Sequence, residues 1–264
     1  MLQAYIPSRC VGEGPKPTPQ RGERIPLTVA WFDRKAKTIT IIIQSLGTST
    51  KKLVKLQEGD RFLDVVGPLG EKSEIKKYGT VVCVGGGVGI APVYPIAKGM
   101  GQAGNRVISI IGARTKDLLI LEEEMAAVSH ILKVSTDDGS YGYHGFVSDV
   151  LQDVIDEGNS LHLVVAIGPV PMMRVVCNVT RSRNIKTVVS LNPIMVDATG
   201  MCGACRVSVG GKTRFVCVDG PEFDGHEVNF AELVKRQRAY LDQEQQASKM
   251  FMHPEGACMG GRSG

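Results

Sequence analysis

The chain lacks any apolar run long enough to cross a bilayer: its longest, residues 80–84 and 161–167, fall far short of the roughly 20 residues that a spanning helix needs. Residues 1–20 contain no basic segment followed by an apolar stretch, so nothing there resembles a secretory signal, and a cytoplasmic location is expected. Charge of one sign is not in excess. The 31 Lys and Arg against 27 Asp and Glu leave a net +4, spread as on an ordinary solvated surface, and no nucleic-acid partner is expected. Internal repeats are absent. Seven cysteines are an odd number, and in a reducing compartment a close group of them suggests a metal before it suggests disulfides. Cys202, Cys205 and Cys217 form such a group, whereas Cys10, Cys83, Cys177 and Cys258 are scattered and read as small core residues.

What is present suits two modest domains: 264 residues, 43% of them hydrophobic. Residues 1–20 hold four prolines and no apolar periodicity, and read as irregular chain. Apolar or β-branched runs at 25–32 and 38–44, separated by Asp33-Arg34-Lys35, read as an antiparallel pair. A short helix at 49–56 and a strand at 61–66, between Gly59-Asp60 and Gly67-Pro68-Leu69-Gly70, complete a small, partial β-barrel over 21–77. From residue 78 the pattern alternates. Strands are expected at 80–84, 107–112, 131–135, 161–167 and 187–191, with helices at 91–103, 117–128, 146–156 and 171–181 between them. Strands apolar throughout, with helices between, indicate a doubly wound parallel sheet over 78–192. Residues 193–264 leave that alternation, pass through a Gly- and Cys-rich segment and end in a polar helix, 230–249.

Cys83-Val84-Gly85-Gly86-Gly87-Val88-Gly89-Ile90-Ala91-Pro92 lies between a buried strand and a helix start. In that position a glycine-rich turn brings backbone N–H groups and a helix N-terminus against a pyrophosphate. The spacing is not the usual six-residue dinucleotide fingerprint, and Gly112-Ala113-Arg114-Thr115 stands where an acidic residue would end the second strand. Two more loops, Thr136-Asp137-Asp138-Gly139-Ser140 and Gly168-Pro169-Val170-Pro171-Met172-Met173, fall at strand C-termini, where open α/β sheets bind ligands. Each is equally a strand-to-helix connection that needs turn residues in any case. Negative charge at Asp137 and Asp138 disfavours a 2′-phosphate and points to NADH over NADPH.

The sharpest signal is Asp197-Ala198-Thr199-Gly200-Met201-Cys202-Gly203-Ala204-Cys205, with Cys217 after eleven intervening residues. Plant-type 2Fe-2S centres use C-x4-C-x2-C and a distant fourth cysteine, because a glycine-rich loop must wrap the cluster and turn its thiolates inward. Cys202, Cys205 and Cys217 match the last three positions, and Asp197 stands at the first. A carboxylate brings the same charge as a thiolate through a harder donor. Two alternatives stay open. A zinc site would want a second ligand pair, and His226 is the one nearby histidine. Asp197 could be a turn residue, with Cys177, Cys258 or an external ligand completing the set.

A flavin signal precedes these. Arg24 begins Arg24-Ile25-Pro26-Leu27-Thr28, and Gly47-Thr48-Ser49-Thr50-Lys51 follows the next strand. An arginine fork can pair with a pyrophosphate, a strand-end hydroxyl such as that of Thr28 can bond a flavin ring nitrogen, and a Gly/Thr/Ser helix start offers donors to phosphate.

The order R-x-P-L-T, G-P-L-G, G-G-G-x-G-x-A-P and a C-terminal 2Fe-2S segment resembles the ferredoxin reductase-like superfamily and, within it, the dihydroorotate dehydrogenase electron-transfer subunit group. Gly22 to Thr28, Val196 to Val207 and Cys217 to Pro221 carry the resemblance, which covers about residues 21–250. It implies FAD bound by Arg24, Pro26, Leu27, Thr28 and by Gly47, Thr48, Ser49 and Thr50. It implies NAD(H) on Gly85, Gly86, Gly87, Gly89, Pro92, Arg114, Asp138, Gly168 and Pro169. For the 2Fe-2S cluster it implies Asp197, Cys202, Cys205 and Cys217. It also implies a heterodimer with a larger flavin and 4Fe-4S subunit in an electron-bifurcating complex, with ferredoxin engaged indirectly. Asp in place of the first Cys sets this chain apart from the dihydroorotate branch. Members of the group carry two or three more strands and a P-G-Q-F-like segment before R-x-P-L-T. Proline-rich sequence occupies that space here, so the resemblance implies a truncated barrel, with FAD retention the property touched. Two rival readings remain: a dihydroorotate dehydrogenase electron-transfer subunit, and a flavin-free iron-sulfur protein that only binds a partner.

Overall fold

The structure, a computed structural model, describes residues 2–6, 23–62 and 64–252. The first unit contains β1 (Leu2–Ile6), β2 (Glu23–Leu27), β3 (Trp31–Asp33), β4 (Thr38–Thr40), α1 (Thr48–Leu53) and β5 (Asp64–Val66). Its strands form a three-stranded sheet in the order β2-β1-β5 and a separate β3-β4 ribbon. Leu2–Ile6 corrects the expectation of irregular chain at the start: it pairs antiparallel with both β2 and β5 and is the middle strand. Its pairing comes entirely from distant segments, so local composition gives no hint of it. Residues 7–20, the rest of that expectation, lie outside the described residues, as do Cys10 and Cys258. The run expected as one strand over 25–32 breaks at Thr28-Val29-Ala30, and its partner run pairs only through β3 and β4.

The second unit runs β6 (Thr80–Gly86), α2 (Ile90–Gln102), β7 (Arg106–Ala113), α3 (Glu122–Val128), β8 (Ile131–Thr136), β9 (Tyr143–His144), α4 (Val147–Asp156), β10 (Leu163–Ile167), α5 (Val170–Arg181) and β11 (Thr187–Ser190). The strands β6, β7 and β10 are almost wholly buried, as strands covered on both faces must be. Successive residues face opposite ways. Val81, Cys83, Val107 and Val165 pack in one core with Ile90, Val93 and Met125 from α2 and α3. Val82, Val84, Ile108 and Ala166 pack in the other with Val150, Leu151, Met173 and Val176 from α4 and α5. Each fully buried Val, Leu or Ile contributes roughly 1.5–3 kcal/mol.

The last unit holds β12 (Arg206–Val209), β13 (Lys212–Phe215), α6 (Val216–Asp219), β14 (Glu222–Asp224), α7 (Phe230–Gln237) and α8 (Leu241–Met252). It is not separate from the sheet. The strand order is β14-β11-β10-β6-β7-β8-β9, with β14 antiparallel to β11, so the expected division at residue 192 is crossed by a strand. Two expected helices are also broken. Residues 116–118 form a 3-10 turn ahead of α3, and the helix expected over 230–249 is interrupted between α7 and α8. No helix among the described residues is long and apolar enough to cross a membrane.

Candidate functional site

Pairing register aligns the loops at one edge of the sheet. Gly86 lies opposite Gly112, Ile167 opposite Gly85, and Ala113 opposite Thr136, so the ends of β6, β7, β8 and β10 finish level. A β-carbon on Gly85 would stand 3.0 Å from the Ile90 Cα. One on Gly89 would collide with the Ile167 carbonyl and lie 2.8 Å from the Gly168 Cα. A β-carbon on Gly86 would run into Met172 and lie 3.3 Å from the Pro169 Cδ. Gly89 is required by packing against backbone, Gly85 has almost no room beside Ile90, and Gly86 meets the end of the flexible Met172 side chain. Gly87 is different: its φ is +55° and nothing lies within 4 Å of the β-carbon position, so it presents bare backbone to open space at the start of α2. Pro92 sits in the first turn of α2, where its missing N–H costs no intrahelical bond.

Beside this loop, the Asp138 N–H donates to the Arg114 carbonyl at 3.2 Å and the Asp137 N–H to the Ala113 carbonyl at 3.1 Å. The Ser140 hydroxyl and N–H, at 2.7 and 3.0 Å from Asp138 Oδ1, hold the Asp138 carboxyl below the usual range. Burial, then the Asp138 charge, push Asp137 up, while Arg114 pulls it back. The Arg114 charge thus acts on Asp137.

In the first unit, Arg24 forms an exposed ion pair with Asp64 at 3.2 Å, across β1, and Thr28 stands exposed just after β2. The Thr50 hydroxyl accepts from the Leu46 and Gly47 N–H groups at 3.1 and 3.0 Å and donates to the Gly47 carbonyl. Thr50 therefore shapes the turn. Thr48 and Ser49 line a groove of about 740 Å³ that also touches Ile25, between Arg24 and Pro26 in β2. Its opposite side is α8, together with Tyr240, a participant that sequence reasoning missed because a polar helix carries no signal of what it faces.

The cysteine segment is a wrapped loop. Ala198, Gly200 and Gly203 take φ of 57°, 86° and 67°. Asp197 Oδ1 accepts from the Thr199 N–H at 3.1 Å and Oδ2 from the Cys202 N–H at 2.9 Å, and these bonds, Thr199's first, keep the carboxyl below its usual range. The Ala204 N–H points to Cys202 Sγ and the Cys217 N–H to Cys205 Sγ, each at 3.5 Å. Two loop carbonyls are held by arginines: Arg206 on Gly203 and Arg236 on Ala204, both at 3.1 Å. Cys205 and Cys217 are buried with their sulfurs 3.2 Å apart, and Cys202 is exposed. Burial, then the hydrogen bond with Cys205, push the Cys217 thiol up to about 12. The donors come as two pairs, Cys205 with Cys217 and Asp197 beside Cys202, and among the described residues no three His, Cys, Asp or Glu gather about a single point. Paired donors and N–H groups aimed at sulfur fit a two-iron cluster better than one zinc ion.

Residues 192–229 match the iron-sulfur cluster binding domain of dihydroorotate dehydrogenase B, and residues 83–178 match the oxidoreductase NAD-binding domain. A solved structure of the NADH-dependent reduced ferredoxin-NADP oxidoreductase, from work on flavin-based electron bifurcation, superposes with a TM-score of 0.85. It is 43% identical, and the match covers 95% of this chain and 86% of its own. The Amycolatopsis cytochrome P450 reductase GcoB, 19% identical with a TM-score of 0.54 over 70% of this chain and 56% of its own, shares the fold alone. Fold and site together define an NAD-binding, iron-sulfur electron-transfer subunit of an oxidoreductase, with ferredoxin reductase-like architecture.

Among curated relatives, a Thermotoga maritima homologue of the dihydroorotate dehydrogenase B (NAD+) electron transfer subunit is 48% identical over 237 residues, 90% of this chain and 83% of its own. The electron transfer subunit of Geobacillus thermodenitrificans is 37% identical over 211 residues, 78% of this chain and 79% of its own. The chain belongs to the family of dihydroorotate dehydrogenase B electron-transfer subunits and their homologues.

Proposed function

We propose that this chain is the small subunit of a cytoplasmic, electron-bifurcating NADH-dependent ferredoxin:NADP+ oxidoreductase, working with a larger flavin and 4Fe-4S subunit. When bound, FAD exchanges a hydride with NADH and single electrons with the 2Fe-2S cluster. The chain's own residues bind and orient. Gly87 and the start of α2 receive the NADH pyrophosphate, with Gly168 and Pro169 beside it and Arg114 and Asp138 at the adenosine side. Thr28, Arg24, Pro26, Leu27 and the Gly47 to Thr50 turn hold FAD, for which Arg24 must exchange its exposed partner Asp64 for a phosphate. Such a surface pair is worth only about 0–1 kcal/mol. Asp197, Cys202, Cys205 and Cys217 would hold the cluster, and the Ala204 and Cys217 N–H groups, aimed at Cys202 and Cys205 sulfur, would stabilise negative charge there.

The observation that carries this reading is the Asp197 to Cys217 loop, seated on the same core as the NAD sheet. Dihydroorotate chemistry is the second reading, favoured by the names of the curated relatives. The carboxylate at the first ligand position argues for the ferredoxin branch. Anaerobic protein reconstituted with FAD, iron and sulfide, mixed with its partner subunit, is expected to bleach at flavin and cluster wavelengths on adding NADH. Unchanged spectra overturn the proposal, and bleaching by dihydroorotate moves it to the second reading.

A further inference from the structure

The final helix lies over the first one. Lys51 of α1 donates to the Ser248 hydroxyl of α8 at 2.9 Å, across 197 residues of sequence, and between the two helices runs the groove of about 740 Å³. Over residues 242–249, α8 is polar except for Ala247, and residues 241–247 are all exposed, with only Ser248 half-buried in that stretch. A helix segment so polar gains little from packing and needs another reason to stay in place. The groove has the volume of a small-molecule site, roughly 300–1,000 Å³.

We propose that α8 is the outer wall of the site for the ADP half of FAD, closing it against the α1 turn. This rests on the flavin reading above. The two walls differ in chemistry. The α1 side offers the Thr48 and Ser49 side chains, hydroxyls that suit a diphosphate, while Lys51, outside the lining, ties α1 to Ser248. The α8 side offers the Tyr240 ring, the Gln243 amide and the Glu244 carboxylate. A carboxylate repels phosphate but accepts from ribose hydroxyls, and a ring and an amide suit an adenine. The diphosphate therefore belongs to α1 and the adenosine to α8. A sheet that has only three strands among the described residues provides one wall, and the helix from the opposite end of the chain provides the other.

The test compares wild-type protein, a chain ending at Ala239, and the full-length double variant Tyr240→Ala/Glu244→Ala. FAD affinity is read by quenching of flavin fluorescence, with ADP as competitor, alongside iron content and far-UV circular dichroism. Wild-type protein is expected to bind FAD competitively with ADP. The truncation and the double variant are expected to lose at least tenfold in FAD affinity, with iron content unchanged. Affinity within twofold of wild type in the double variant overturns the assignment of α8 while leaving the flavin reading intact. Absence of FAD binding by wild-type protein overturns the flavin reading, and this inference with it.

Discussion

Trp31 meets Tyr94 edge to face, with ring centroids 5.8 Å apart and planes at 76°. Trp31 opens β3 in the flavin-side unit, and Tyr94 lies in the second turn of α2, just beyond the glycine loop. The contact joins the two units directly. It places the chain's single tryptophan against the helix that begins at the proposed pyrophosphate site.

Tryptophan emission overlaps NADH absorption, so titration with NADH should quench Trp31 strongly, and NADPH should require at least tenfold higher concentration. Equal quenching by both would reject the NADH preference argued from Asp137 and Asp138. Tyr94→Leu should lower stability by about 1 kcal/mol through loss of the ring pair, measured by urea denaturation.

The loop glycines should separate by mechanism. Gly89→Ala puts a β-carbon 2.7 Å from the Ile167 carbonyl carbon, against backbone that cannot yield, and should cost about 2–4 kcal/mol of stability. Gly87→Ala meets open space and bears only the strain of φ +55°, about 1 kcal/mol. Its methyl group would nevertheless stand where a pyrophosphate must approach, so NADH affinity should fall at least tenfold while the melting temperature shifts little. Calorimetry on both variants, with and without NADH, checks the contrast.

Cysteine substitutions should divide in the same way. Cys205→Ala and Cys217→Ala should abolish the cluster, whereas Cys83→Ala, at a thiol that burial pushes up to about 12, should retain full iron. Asp197→Ala should reduce iron content, and Asp197→Cys should keep it with a shifted visible spectrum and potential. Full iron in Asp197→Ala would assign the carboxylate to the turn alone.

Glu222, in β14, accepts a hydrogen bond from the Ser73 hydroxyl, and burial raises its carboxyl above the ordinary value while the Ser73 bond lowers it in part. The folded chain therefore holds this proton more tightly than the unfolded chain does. That contribution to stability is complete below the unfolded value, 4.5 for a free glutamate, and is lost as pH rises through the raised folded value. Glu222→Gln should be insensitive to this change. Its stability relative to wild type, by urea denaturation, should grow as pH rises from 4.5 through the raised folded value and level off above it.

Much of this arrangement can be read from residues in order, and the parts that cannot have a common cause. Fully apolar runs such as 80–84 announce buried parallel strands, and the Asp197 to Cys205 spacing is a local pattern that survives in the folded loop. β1 and β14 are illegible because each is short and owes its strand conformation to partners far along the chain. Glu222-Phe223-Asp224 has no alternation long enough to read. The groove under α8 is hidden for the same reason, since Lys51 and Ser248 meet only in three dimensions.

The antiparallel edge strand contributed by the cysteine segment has a consequence for how the protein can be divided. Cys205 and Cys217 share a core with Val176 and Leu233, and β14 hydrogen-bonds to β11, so the cluster loop is woven into the nucleotide sheet. Such a segment cannot be lifted out and grafted like an independent ferredoxin. Losing iron should soften the nucleotide-binding edge as well, making the metal a fastener for both halves of the electron path.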